Sequence, residues 1–215
     1  MGQTAEQTGP ARIYVWDRFV RGFHWTLVAA FTIAFLTEDD LLVLHVWAGY
    51  LVGALIVLRA IWGVIGPRHA RFADFVYPPA EVWAYLAAML TFRARRYLGH
   101  NPAGGAMVVA LLLVLGATVA TGIAADTRAG SQIAAAAPAI GNVLAPVQAL
   151  ADSRDDDRDD DDGERGEAGF VGEVHEVLAD LSLILVIAHI AGVLVASLCH
   201  RENLVRSMIT GWKRA

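Results

Sequence analysis

Residues 172–200 read GEVHEVLADLSLILVIAHIAGVLVASLCH, an apolar run that carries His175 near its start and His189 in its second half. The two histidines are fourteen residues apart. On a helix that is nearly four turns. At ~1.5 Å of rise and ~100° of rotation per residue, the rings stand about 21 Å apart along the axis and return to within roughly 40° of one another. One face of a helix long enough to cross a bilayer therefore presents an imidazole at each of two depths.

Two earlier apolar runs offer partners. Residues 22–37 carry His24 near their head, residues 41–58 carry His45, and only Glu38, Asp39 and Asp40 separate the two runs. If both span the membrane they are antiparallel, which puts His24 at the face where the chain enters and His45 at the opposite face. Each is then matched in depth by one histidine of the last run. A lone histidine in an apolar run is ordinarily a hydrogen-bonded interior residue. Four histidines in two depth-matched pairs point instead to a bound group.

The chain has 215 residues, of which 56% are hydrophobic and 18% charged, and its mean hydropathy is +0.46. That is too apolar for an ordinary soluble domain. The fold class expected is an all-α integral membrane protein, one domain over residues 1–215, with four transmembrane helices at about 20–37, 41–64, 103–125 and 172–199. The single cysteine, Cys199, excludes an intramolecular disulfide and any Cys-based metal cage, and reads as a small buried hydrophobe. No small-residue cleavage signature follows the first apolar run, so that helix is expected to be retained. No Gly-rich phosphate loop, nucleophile triad or flavin fingerprint is present, and nothing points to nucleic acid.

Trp16, Trp25, Arg18 and Arg21 cluster at the head of the first run, where indoles and basic side chains favour lipid headgroups. Arg59 follows His45 by fourteen residues and so lies near the same helix face at the depth of His24. It either meets an anion inside the bundle or snorkels to the interface. Gly66 and Pro67 end the second run. Residues 78–98, with Arg93, Arg95 and Arg96, read as an interfacial amphipathic helix. Asn101 and Pro102 read as the cap and first residue of a histidine-free third span.

Residues 132–150 are apolar but interrupted by Pro138, Gly141, Asn142 and Pro146, and read as an interfacial segment. They belong to an insertion, about 126–170, whose stretch 152–167 holds ten acidic residues against three arginines. Such a stretch builds no packed core and reads as mobile, either a solvated tether or a polyanion that steers a basic redox partner. Arg12, Arg18, Arg21, the basic residues from Arg59 to Arg96, Arg201, Arg206, Lys213 and Arg214 all fall on one side of the four spans. The positive-inside rule makes that side cytoplasmic, with both termini. His45, His175 and the acidic insertion then face the periplasm of a bacterial inner membrane.

Metal sites built by protein alone usually bring in Cys, Asp or Glu, or pair histidines at short spacings, and neither pattern occurs here. Haem needs less, because two axial imidazoles from facing helices complete an iron already held by four porphyrin nitrogens. Gly49 and Gly53 follow His45 by one and two turns, and Gly172 and Gly192 lie three residues from His175 and His189. These glycines leave room for a flat macrocycle, although Gly49 and Gly53 suit a close helix contact equally well. Arg18, Arg21 and Arg59 stand where a cytoplasmic-side haem would present its propionates. His69, His100 and His200 are read as non-ligands. Asp180, in helical phase with Glu173 and Glu176, is either a proton-transfer group for a quinone or part of a solvated acidic stripe at the helix start.

The segments VWDRFVRGFHW (15–25), LHVWAGYLVGALIVLRAIWG (44–63), RYLGHNPAGGAM (96–107), VHEVLADLSLILVIAHIAGV (174–193) and MITGWKRA (208–215) resemble the bacterial di-haem cytochrome b561 superfamily. That superfamily includes the b-type cytochrome subunits of nickel-iron hydrogenases. The resemblance covers nearly all of the chain outside 126–168, and the acidic insertion departs from it. It implies a four-helix transmembrane bundle with two haem b groups. His24 and His189 would be axial ligands of the cytoplasmic-side iron, and His45 and His175 of the periplasmic-side iron. Electrons would pass between a quinone pool and a periplasmic redox partner such as a c-type cytochrome or a hydrogenase. Two rivals stay open. One is a stand-alone quinone oxidoreductase acting on a small molecule such as superoxide. The other is a metal or proton transporter using the histidines as relays, for which broken helices and inverted repeats would be the sign; neither is seen.

Overall fold

The computed structural model describes residues 12–38, 41–125 and 163–214, with the side chains of the last segment from Phe170 onward. Residues 132–150 and the acidic run up to residue 162 lie outside the described residues. In chain order the elements are β1 (Arg12–Tyr14), α1 (Arg18–Leu36), α2 (Leu42–Ile65), a 3-10 turn (Arg68–Ala70), α3 (Phe72–Phe75), α4 (Pro79–Leu90), α5 (Pro102–Ala125), α6 (Gly163–His200), α7 (Leu204–Thr210) and β2 (Trp212–Arg214). Helices α1, α2, α5 and the Phe170–His200 part of α6 are each long and apolar enough to cross a membrane. They turn large apolar side chains outward, with Val64 72%, Leu113 69% and Leu198 72% exposed. Water would penalise such a surface, whereas lipid is its natural solvent.

Two compact units divide the chain. Unit 1 comprises Met1–Thr26, Val57–Ala110 and Leu185–Ala215; unit 2 comprises Leu27–Ile56 and Leu111–Ile184.

Unit 1 is knit together by short elements that periodicity does not announce. Asp17 caps α1, its Oδ1 accepting from the Val20 N–H at 3.0 Å. The antiparallel pair β1·β2 aligns Arg12 with Arg214 and Tyr14 with Trp212, tying the two ends of the described chain. Gly211 makes this join possible. It takes φ 88° as the residue after α7, its carbonyl accepts from the N–H groups of Val15 (2.9 Å) and Trp16 (3.2 Å), and a Cβ there would stand 2.6 Å from the Tyr14 ring. Behind the join, Val15, Trp16, Val20 and Ala70 form the core, with Phe19, Trp62 and Met208 against them.

The buried Phe75 of α3 is held by α5, which opens at Pro102 with the Asn101 side chain accepting from the Gly104 N–H at 2.7 Å. At Gly105 a Cβ would overlap the Phe75 carbonyl oxygen. Gly105→Ala should therefore destabilise unit 1 by about 1–3 kcal/mol, outweighing the ~1 kcal/mol of helix propensity gained. A thermal melt in detergent checks this, and an unchanged or raised midpoint would refute the close approach.

The helix expected over 78–98 stops at Leu90, and the arginines 93, 95 and 96 lie beyond it. The reason is a Schellman closure. The Phe92 N–H donates to Met89 O at 3.1 Å and the Arg93 N–H to Ala88 O at 2.8 Å, with Phe92 in the left-handed region at φ 55°. A second closure ends α6, where Arg201 has φ 49° and the Glu202 N–H reaches Ser197 O at 3.1 Å. The freed segment is latched by the buried Lys213 of β2, whose Nζ donates to the carbonyls of Tyr97 (3.2 Å) and Leu98 (3.0 Å) and lies 3.8 Å from Glu202. Burial lowers the Lys213 pKa and Glu202 opposes the shift. Burial pulls Glu202 upward, but its bond from Arg96, the Lys213 charge and the Arg214 N–H together leave it below the ordinary carboxylate value.

In unit 2, α5 and α6 meet through a polar contact. Thr118 Oγ1 and Ser182 Oγ are 3.2 Å apart, and Ser182 is fully buried. Each hydroxyl also donates to a carbonyl of its own helix, Val114 and Leu178, so neither is left unsatisfied in an apolar setting. Gly53 packs on α5, where a Cβ would stand 3.0 Å from Val119 Cγ1.

Candidate functional site

Each unit contains one facing pair of imidazoles. In unit 1, His24 of α1 and His189 of α6 have ring centroids 6.4 Å apart and planes inclined by 56°. Trp25 lies edge-on to His24 at 5.1 Å. In unit 2, His45 of α2 and His175 of α6 have centroids 6.1 Å apart, inclined by 82°. Both unit 2 rings are fixed by the main chain, with His45 Nδ1 2.8 Å from Ala34 O and His175 Nδ1 2.8 Å from Thr118 O. A carbonyl can only accept, so Nδ1 carries the proton and Nε2 is free for a ligand role. An apolar cavity of about 230 Å³ opens beside this pair, lined among others by Phe31, Phe35, Gly49 and Leu115.

These spacings test the kind of group that fits. An imidazole–metal bond is about 2.0 Å and a ring nitrogen lies roughly 1.1 Å from its ring centre, so two axial imidazoles on one iron would have centroids about 6.2 Å apart. Both pairs match. Added Cβ atoms at Gly49, Gly172 and Gly192 would meet nothing within 4 Å, leaving room for a planar ring, whereas Gly53 makes a helix contact. Among the described residues no group of three or more His, Cys, Asp and Glu could cage a bare metal ion. The donor set suits a metal that brings its other ligands with it.

The expected cations differ in setting. Arg59 is only 2% exposed, its guanidinium 5.1 Å from the Phe72 ring centre and 5.7 Å from that of Phe75, so it does not snorkel. Its Nη1 is buried without a hydrogen-bond partner, as are Arg21 Nε and His24 Nδ1. Arg21 Nη1 donates to Ile209 O at 2.6 Å. Arg18 is exposed at the head of α1.

Of the remaining histidines, two have polar partners of their own, and the Nδ1 of the third, His100, is buried without one. His69 Nδ1 lies 3.0 Å from Asp74 Oδ2, and His200 Nε2 lies 3.2 Å from the Tyr85 hydroxyl. His100 is wedged between Phe75 and Trp16, with centroids at 4.4 and 4.7 Å. Burial, then the charges of Arg59 and Lys213, pushes its pKa down to about 3 and keeps it neutral. Asp180, Glu173 and Glu176 are all exposed, and the cavity is lined by Ala179 rather than Asp180.

Four membrane-length apolar helices with two facing imidazole pairs define the class, a helical membrane protein suited to bind haem. Residues 15–211 match the prokaryotic cytochrome b561 family, and the chain belongs to that family. Comparisons with curated proteins and with solved structures give no match. The family is built as a four-span di-haem bundle, typically with two b haems, and serves transmembrane electron transfer through them. The chain is accordingly a multi-pass membrane cytochrome.

Proposed function

We propose that His24 and His189 supply the axial imidazoles of one haem and His45 and His175 those of the other, and that residues 1–215 act as one domain. The observation that carries this is the 6.4 and 6.1 Å separation of the two facing pairs. Bound haem supplies a one-electron iron couple. The protein supplies the rest. In unit 2 the carbonyls of Ala34 and Thr118 fix the rings so that Nε2 is presented, and apolar walls keep water out. In unit 1 the buried Arg59 and the half-buried Arg21 would meet the propionate charge, with Arg18 at the outer edge, since a buried cation needs an anion.

Thirteen of the seventeen Lys and Arg residues belong to unit 1, a bias that by the positive-inside rule supports a cytoplasmic side for both termini in a bacterial inner membrane. Electrons then pass between a quinone pool and a periplasmic redox partner such as a c-type cytochrome or a hydrogenase. The purified chain, reconstituted in vesicles, should show two reducible b haems per chain. Quinol should reduce them, and an added c-type cytochrome should reoxidise them from the face opposite the termini. A haem content of zero or one would overturn the ligand assignment, and reoxidation only from the face of the termini would overturn the orientation.

A further inference from the structure

The two imidazole pairs are held differently. In unit 2 both Nδ1–H groups donate to main-chain carbonyls, His45 to Ala34 and His175 to Thr118, each at 2.8 Å. In unit 1, His24 Nδ1 is buried without a partner. The His175 bond depends on a close approach of its ring to α5. Gly122 lies one turn beyond Thr118, and a Cβ there would stand 2.9 Å from His175 Cε1 and 3.2 Å from its Nδ1. Any larger residue would push the ring off the carbonyl. Thr121 adds a hydroxyl 3.4 Å from the same nitrogen, and the Thr118–Ser182 contact of 3.2 Å sets the two helices at this level.

We propose that Gly122 and the Thr118 carbonyl are positioning elements for His175, and that with the matching His45–Ala34 bond they make the unit 2 haem the lower in potential of the two. The proposal rests on the axial-ligand assignment above. An imidazole whose far N–H donates to a carbonyl is a stronger donor to its metal through Nε2. A stronger donor favours the electron-poor ferric state, so the midpoint falls. The unit 1 pair lacks this help on His24 and has the buried cation Arg59 in its unit, which favours the reduced state. A single electron delivered to the His45/His175 site therefore moves downhill to the His24/His189 site, with no bond made or broken.

Redox titration by visible spectroscopy and EPR of the holoprotein tests this in four forms: wild type, His45→Ala, Gly122→Ala and Gly116→Ala. His45→Ala should remove the lower-potential component. Gly122→Ala should raise that component's midpoint and shift its largest g value, leaving the other component in place. Gly116→Ala is the control, because it makes the same change on the same helix, where a Cβ meets nothing within 4 Å and the residue does not line the cavity beside the unit 2 pair; it should shift neither. Loss of the higher-potential component in His45→Ala would overturn the proposal. So would an unshifted Gly122→Ala, or one that moves no further than Gly116→Ala. If Gly122→Ala retains no haem in unit 2, the order of potentials read from wild type and His45→Ala still decides. Should His24→Ala and His45→Ala remove the same component, the ligand assignment itself would fail, a result distinct from any of these.

Discussion

Alanine at His24 or at His189 is expected to remove one and the same b-type haem, and alanine at His45 or at His175 the other, so that each variant keeps about half of the wild-type haem. The reasoning is local to each pair. The centroid separations of 6.4 and 6.1 Å leave space for one iron between each two rings, and a haem held by a single remaining imidazole loses both a strong bond and its low-spin state. Imidazole added to the medium should partly restore the spectrum of the unit 2 variants, since that pair borders a cavity of about 230 Å³. Haem quantification with spectroelectrochemical titration of the four variants checks the pairing. Loss of a common component from His24→Ala and His45→Ala would overturn it.

How legible these sites were depends on which residue carries the information. The histidines could be read because a fourteen-residue spacing on one helix and two antiparallel runs fix depth by arithmetic. Gly122, Thr118 and Ala34 could not be found in the same way. Two of them act through a backbone carbonyl, which has no sequence signature, and the third through the absence of a side chain in a span already rich in small residues. The placement of Arg59 also needed the structure. Helical phase put it near the right face, but only the packing of Phe72 and Phe75 over the guanidinium distinguishes a buried cation from one that reaches the headgroups.

For the fold, the four spans were legible because hydropathy over about twenty residues is a strong signal. Helix ends set by Gly66 and by Asn101-Pro102 were legible too, because those residues carry a backbone reason to stop or start. The stop after Leu90 was hidden, whereas the last span, expected to end at 199, ends at His200. Phe92 and Arg201 take the left-handed conformation that glycine usually takes at such closures, and nothing in their identity says so. Strands β1 and β2 have three residues each and exist only through pairing across nearly the whole chain, a contact that no local pattern can report. Gly211 was the single local hint. Its positive φ and the space taken by Tyr14 show why the terminal segment turns back where it does.

Arg59→Leu should lower the midpoint of the component that depends on His24 and His189 by tens of millivolts and leave the other nearly unchanged. Both the cation and this pair belong to unit 1. At an effective dielectric near 20, a unit charge acting over a separation on the order of 10 Å is worth roughly 1.7 kcal/mol, or on the order of 70 mV for one electron. The sign follows from charge alone, because a nearby cation favours the state with one more electron. Leucine fills much of the same volume under Phe72 and Phe75, so the fold should survive. It also removes the unpartnered Nη1, which would leave stability unchanged or raised if no anion meets that group in the holoprotein. The two readouts therefore separate the roles of the residue. A lowered midpoint together with a lower melting temperature of the holoprotein marks a cation paired to a propionate. An unchanged midpoint with raised stability would mean that Arg59 serves only as a buried partner of the two phenylalanine rings.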